Sequence, residues 1–383
     1  MKFFKHSSVK QMMFFIALLL SSCGFAQDDK MPPFSWETIP VYIHFGDVDA
    51  LTDEEVEFVA SHTGFTCLEK GHGINKHGST EKGIEADVKR MKQINPKLKN
   101  LYYWNTFLDY SLYDAHNVYQ QHPEWWLKTK NGELDKKNGD LMRYDLSNPE
   151  VREWWTEEAK RAVVDGACDG VFMDAFPQVA SLANIDLWGQ QKFDDIQRGL
   201  KEIIVLTKQK LGDEAIIMYN GIRNTDHLKF GMGYLELCDA VTIEHFGVLQ
   251  SASKENMLLD IENATTAGKM GKIVVFKGWP SFLWMDEKVK KSTYKELLEE
   301  AQQDITFPLA CFLIAAQEYS YFCYSWGYRQ NGGMLDWYEE FDQPLGKPMG
   351  DYVKNGWELS REFAHCNVWV NLASRQARIT YKE

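Results

Sequence analysis

The stretch that decides the fold is residues 166–176, "GACDGVFMDAF". Its "GVFM" is a short, continuous apolar run, the pattern of a strand buried on both faces. Asp174 follows directly, where such a strand leaves the core. An unpaired buried charge is costly, so a carboxylate there must be ion-paired, hydrogen-bonded or used in chemistry. Which of these applies depends on what the rest of the chain brings to it.

Seven further runs of the same kind lie along the sequence: "TIPVYIHF" (38–45), "GFTCLE" (64–69), "NLYYWN" (100–105), "AIIMYN" (215–220), "AVTIEHF" (240–246), "KIVVFKGW" (272–279) and "YSYFCYSW" (319–326). Between them lie amphipathic stretches such as "EVREWWTEEAKRAVV" and "FDDIQRGLKEIIVLTKQKL". Eight buried strands joined by helical crossovers predict a (β/α)8 TIM barrel. The alternative is an open doubly wound sheet, which would favour a Gly-rich phosphate turn after the first strand; "IHFGDVDAL" is not one. The alternating tail, 361–382, predicts a short C-terminal hairpin packed on a single barrel domain spanning 37–383.

At 383 residues with 44% hydrophobic content, the chain can build a full core. Its net charge of −13 and lack of a long basic run argue against general nucleic-acid binding. At the N-terminus, Lys2, Lys5 and Lys10 precede "MMFFIALLL", an apolar stretch too short to span a bilayer stably. It ends in "LSSC", which resembles a bacterial lipobox with Cys23 as the lipidated residue; the rival is cleavage after "GFA". Residues 1–23 are thus expected to form the signal peptide with its lipobox and 24–36 a tether. Either route predicts export, as a surface lipoprotein or into the periplasm, with the membrane touched only through the lipid. The other six cysteines lack metal-like spacing and read mostly as small buried hydrophobes.

From Asn105 to Asn148 no long helical pattern intervenes, and a loop of that length in a compact domain is usually functional. It carries "QQHPEWWLKTKNGE" and "MRYDLSNP", and predicts a lid or a wall of the binding site. A helix then starts at "SNPEVREWW", with Ser147 or Asn148 as cap and Pro149 in the first turn.

Barrel chemistry sits at the C-terminal strand ends. Read there, the sequence offers His44, Glu69, Lys70, Trp104, Asn105, Asp174, Tyr219, Asn220, Glu244, His245, Lys277, Trp279 and Trp326, with His72, Trp126 and Arg143 from neighbouring loops. Two acids lead. Glycosidic bond cleavage commonly uses one carboxyl to protonate the departing oxygen and another to attack the anomeric carbon or activate water. Asp174 is the candidate nucleophile and Glu244 the candidate acid/base, with hydrogen bonds from Tyr219 or Asn220 keeping the nucleophile ionised. Glu69, Asp47, Asp109 and Asp145 are lesser candidates. Each acid alone could equally be an ion-paired strand-end residue.

"HPEWW", "YDLSNPEVREWW" and "DGVFMDAF" together resemble bacterial glycoside-hydrolase-like (β/α)8 barrel families. There, a Pro–Glu–Trp loop and an Asn–Pro–x–Val–Arg helix start precede an Asp–Gly–x–x–x–Asp strand. The later "DQPLGKPMGDYVKNGWELSREF" and "VWVN" resemble the closing segment of such enzymes. In retaining barrels of the α-galactosidase type, the acid after the fourth strand is the nucleophile and that after the sixth the proton donor. The likeness implies these roles for Asp174 and Glu244, although that type favours aspartate at the second position. In size and layout the chain is also similar to the retaining endo-1,3-fucanases, which pair an Asp with a Glu.

Lys70, His72, Lys76, His77 and Lys82 cluster after the second strand, and Arg143, Arg223, Lys277 and Arg329 fall near other strand ends. On an acidic protein, a basic mouth would suit sulfate or carboxylate groups of a polysaccharide, an α-fucan or α-galactan among them. The bland alternative is a solvated charged loop. His72 and His77 are spaced for neither a zinc motif nor one helix face, and the sequence predicts no metal and no cofactor. A non-catalytic glycan-binding lipoprotein is the competing function; it would not need two acids at the mouth.

Overall fold

The computed structural model describes residues 30–222 and 231–382. The signal segment, Cys23 and Arg223 lie outside the described residues. The chain builds β1 (Ile43–Phe45), β2 (Phe65–Leu68) and β3 (Lys99–Asn105), then a detached antiparallel pair, β4 (Lys136–Lys137) and β5 (Leu141–Met142). It continues with β6 (Gly170–Asp174), β7 (Ile216–Asn220), β8 (Ala240–Ile243), β9 (Ile273–Gly278) and β10 (Ser320–Tyr324). All but β4 and β5 join one parallel sheet in sequence order. A parallel bridge between Val41 and Phe322, with the Tyr42 amide donating to the Phe322 carbonyl at 2.8 Å, brings the last strand back to the first. The result is a (β/α)8 barrel, and each expected apolar run carries one of its strands.

Local chemistry explains the pieces that position the mouth. Gly170 opens β6 because a Cβ there would meet the Ile216 carbonyl oxygen of β7 at 2.1 Å. At the other end of β6, Ala175 takes a left-handed conformation with φ 74° directly after Asp174. For a non-glycine residue that is a strained turn of a kind concentrated at functional sites. The helix Pro149–Val163 starts as expected: the Asn148 side chain accepts from the Glu150 amide at 2.9 Å and Pro149 fills the first turn. From that helix, Trp155 donates its indole N–H to the Asn105 carbonyl at 2.9 Å, fixing the end of β3.

The long segment after β3 is mostly packed down. Trp125 of the Pro–Glu–Trp turn is buried, donates to Glu150 at 3.0 Å, and joins Tyr119, Tyr144 and Trp154 in an aromatic cluster. The segment reaches the central cavity through Tyr110 and, from its β4 arm, Lys137.

The tail hairpin is β13 (Cys366–Asn371) with β14 (Gln376–Tyr381), and the structure extends it to four strands with β11 (Val353–Asn355) and β12 (Glu358–Glu362). Buried Arg361 donates to the carbonyls of Leu313, Ile314 and Ala316, where the last barrel helix, Thr306–Ala315, runs out of partners. Residues 30–36, expected within a tether, are not free. Tyr321 donates to the Pro32 and Pro33 carbonyls, and Phe34 packs on Tyr319 and Tyr321. The six described cysteines are buried and unbridged. Among the described residues no helix is long and apolar enough to cross a membrane.

Candidate active site

At the C-terminal ends of the strands lies a chamber of about 340 Å³. Its lining follows the strand period of two: Tyr42 with His44, Phe172 with Asp174, Thr242 with Glu244, and Val275 with Lys277. Successive inward-facing residues thus stack in layers, and the charged or polar member of each pair tops the layer.

Asp174 is held by three donors. Its Oδ2 accepts from the Tyr103 hydroxyl at 2.5 Å and from Asn105 Nδ2 at 3.1 Å; its Oδ1 accepts from Asn220 Nδ2 at 2.9 Å. Asn105 is locked for this task, since its Oδ1 accepts from the amides of Phe107 and Leu108 at 2.9 and 2.8 Å. The Asn220 amide also donates to Glu244 Oε2 at 2.8 Å. One nitrogen therefore ties the two carboxylates together. Since both bonds come from one nitrogen, at 2.9 and 2.8 Å, the bridged oxygens lie no more than about 5.7 Å apart.

Glu244 sits nearer the rim, with 27% of its side chain exposed. Tyr328 donates to its Oε1 at 2.7 Å, and His245 Nε2 lies 3.6 Å from its Oε2. Trp279 donates to its backbone carbonyl at 2.7 Å, holding the residue in place. Burial, and then the negative charge of Glu244, push the Asp174 carboxyl above its ordinary range, against the hydrogen bonds and Lys70. Two acids this close do not readily ionise together, so the pair favours one proton between them.

A second charged group lines the same chamber. Glu69 contacts Lys70 at 2.5 Å and lies 3.4 Å from His44 Nε2. Burial would raise Glu69, but Lys70 and His44 outweigh it and hold the carboxyl at about 2. Lys277 is buried, with its ammonium 3.9 Å from the Trp279 ring centre and donating to Ser325 Oγ at 2.6 Å; burial lowers it to about 8.

A family model described as hypothetical glycosyl hydrolase family 15 matches residues 92–367. The chain belongs to this family. No curated protein matches the sequence. Among solved structures, this family member is similar to an α-amylase from Geobacillus thermoleovorans complexed with acarbose. The two share 10% identity over 88% of this chain and 87% of that one, with a TM-score of 0.51. It is also similar to the galactosidase domain of the α-galactosidase–sucrose kinase AgaSK, at 11% identity and a TM-score of 0.50. That match covers 87% of this chain but 46% of the other. At such identities the likeness shows the barrel fold.

Of the residues expected at the mouth of this family member, His44, Glu69, Lys70, Asp174, Asn220, Glu244, His245 and Lys277 line the chamber, and Asn105 supports it from behind. Others do not reach it. Trp104 points outward, donating to the Trp155 carbonyl at 3.2 Å between Tyr113 and Trp154. Tyr219 also points outward and donates to the Gly231 carbonyl at 2.8 Å, so it gives Asp174 nothing. Parity explains both: they stand one residue from Asn105 and Asn220, on the opposite face of their strands.

His72 is fully buried against Asp87 at 2.9 Å, and Arg143 pairs with Asp135 at 3.0 Å. Lys82 pairs with Asp114 on the surface, so the expected basic mouth is dispersed. Trp126 donates to the Tyr119 carbonyl within the long loop, and Trp326 packs on Phe282 and Tyr294 outside the chamber. Trp279 supports Glu244 and Lys277 from outside the chamber lining. Asp109 and Asp145 are committed to His116 and Lys192.

The expectations missed Tyr103, Tyr110, Lys137, Trp284 and Tyr328, all on the chamber wall. Tyr103 was recoverable: it lies two residues before Asn105, on the same strand face. Tyr328 and Trp284 stand in loops beyond their strands, where no periodicity marks them. Among the described residues, no group of three or more His, Cys, Asp or Glu side chains is placed to hold a metal ion.

Proposed function

We propose that this protein is an exported retaining glycoside hydrolase acting on an α-linked polysaccharide, with Asp174 as nucleophile and Glu244 as acid/base. The observation that carries the reading is the single Asn220 amide bridging both carboxylates. Carboxylate oxygens held this close suit direct attack by one carboxylate, whereas inversion needs about 6.5–9.5 Å to admit a water. Asp174, deeper and gripped by three donors, is suited to the ionised, attacking role. Glu244, nearer the rim, is suited to meet the departing oxygen. In the first step Asp174 bonds to the anomeric carbon as the glycosidic bond breaks, and Glu244 gives its proton to the leaving oxygen. In the second, Glu244 takes a proton from water, whose oxygen displaces Asp174 and restores both groups.

Support for export comes from the lysines and short apolar run of the N-terminal segment, with lipidation at Cys23 as its specific form. An anionic α-glycan, such as a sulfated fucan or galactan, is the substrate class we favour. Lys137 supports it: a cation on the chamber wall with no carboxylate ion partner among the described residues.

The test is turnover of sulfated and neutral polysaccharides by wild type, Asp174→Asn and Glu244→Gln. Each substitution is expected to lower kcat by about 100- to 10,000-fold while binding persists. Wild-type binding with no turnover of any glycan would instead favour a glycan-binding surface protein.

A further inference from the structure

Beside the chamber that holds Asp174 and Glu244 lies a larger one, about 630 Å³. The two share Glu69, Lys70, Trp284 and Tyr328 as walls. Tyr328 faces both: its hydroxyl reaches Glu244 while its ring borders the second space. A cavity of about 300 Å³ is at the small end for a ligand site, so the first chamber fits little beyond the sugar being cleaved. The second has room for more of the chain.

The larger chamber is built for a ring with an apolar face and a charged substituent. Trp284 and Tyr294, each 41% exposed, both line it. Trp284 is braced rather than loose. Its amide donates to the Trp326 carbonyl at 2.7 Å, and its ring lies 5.4 Å from Trp279 and 5.8 Å from Tyr328. The adjoining wall is the turn from Trp326 to Gly332, closed by the Trp326 amide on the Gly332 carbonyl at 2.9 Å and the Gly332 amide on the Arg329 carbonyl at 2.8 Å. Gly333 continues it with φ 84°, and a Cβ there would strike the Trp326 ring at 2.3 Å.

That turn presents Arg329, exposed and without an ion pair among the described residues. The one acid on these walls, Glu69, is already taken by Lys70 and His44. The chamber thus combines a rigid aromatic face with an uncommitted guanidinium, the pair suited to a sugar ring bearing an oxyanion.

We infer that this second chamber binds the sugar next to the one cleaved, with Trp284 as stacking platform and Arg329 contacting an anionic group on it, a sulfate ester or a uronate carboxylate. The inference rests on the neighbouring chamber being the hydrolytic site.

It is tested by fluorescence titration of the full chain carrying Glu244→Gln, so that probes are not consumed. The probes are mono- to tetrasaccharides of sulfated fucan and of polygalacturonate, with their desulfated and carboxyl-reduced counterparts. Trp284→Ala should weaken binding of disaccharides and longer probes at least tenfold and leave monosaccharides unchanged, while Trp284→Phe retains most of the affinity. Arg329→Met should abolish the preference for one charged series over its neutral counterpart, and the series affected identifies the anion. Equal losses for mono- and oligosaccharides, or no Trp284-dependent binding of any probe, would overturn the platform. Equal losses for charged and neutral probes would overturn the role of Arg329. Hydrolysis by wild type with Trp284-independent affinity leaves the hydrolase reading standing and removes this one; Trp284-dependent binding without hydrolysis removes the hydrolase reading and leaves the platform only as a glycan-binding site.

Discussion

Two acids line one chamber and live under opposite electrostatics. Glu69 has a lysine at 2.5 Å and a histidine at 3.4 Å, and is held at about 2. Asp174 has only neutral donors and a second acid on the same Asn220 amide, and burial and that acid push it upward. A carboxylate whose charge is answered by a cation is held ionised by that cation. One whose charge is answered by dipoles, beside a rival carboxylate, destabilises the fold and is poised to bond or to trade protons. On the proposed hydrolase reading, the difference separates an ion-paired acid from the one put forward as nucleophile.

The largest effect expected from this contrast is on stability. Glu69→Gln strands Lys70 and His44 and should cost roughly 2–3 kcal/mol, less than a fully buried pair because Lys70 is partly exposed. Asp174→Asn should move the other way and raise stability at pH 7 by about 1 kcal/mol, the exchange of stability for function expected if Asp174 is the nucleophile we propose. Denaturant unfolding of the two variants decides it; the same sign for both would erase the contrast.

The pH dependence sharpens it. Glu69 is depressed, so its stabilisation is fully present above the ordinary carboxylate value of 4.5 and is lost as pH falls toward about 2. The gap between wild type and Glu69→Gln should therefore close over that range. Asp174 is raised: the folded chain holds that proton more tightly than the unfolded chain, so its cost appears as pH rises. The gain from Asp174→Asn should be absent in acid and grow toward neutrality, as unfolding free energies measured against pH would show. A smaller effect is expected at Tyr328→Phe, which removes a 2.7 Å donor from Glu244 at a half-buried position. We expect kcat to fall about tenfold, roughly the worth of one hydrogen bond to a charged group, with little change in stability.

The sequence made the scaffold and half of this chemistry legible. Parallel strands buried on both faces leave continuous apolar runs, and those runs located the barrel and its strand-end groups, Asp174, Asn220, Glu244 and Glu69 included. The same continuity hides parity. A run without alternation does not say which side each residue faces, which is why Trp104 and Tyr219 were expected inside and Tyr103 was not. Partners distant in sequence were also invisible: nothing local links His72 to Asp87 or Arg143 to Asp135, and each pairing removes a cation from the mouth. Tyr328 lies 84 residues from the glutamate it contacts, in a loop with no period to betray it.

The most direct test of the paired-carboxylate account is the anomeric configuration of the first product, followed by time-resolved proton NMR on a polysaccharide the wild-type protein cuts. With Asp174 and Glu244 bridged by one amide, the product should first appear with the configuration of the bond that was broken and only later drift to the equilibrium mixture. A first product of opposite configuration would contradict the account.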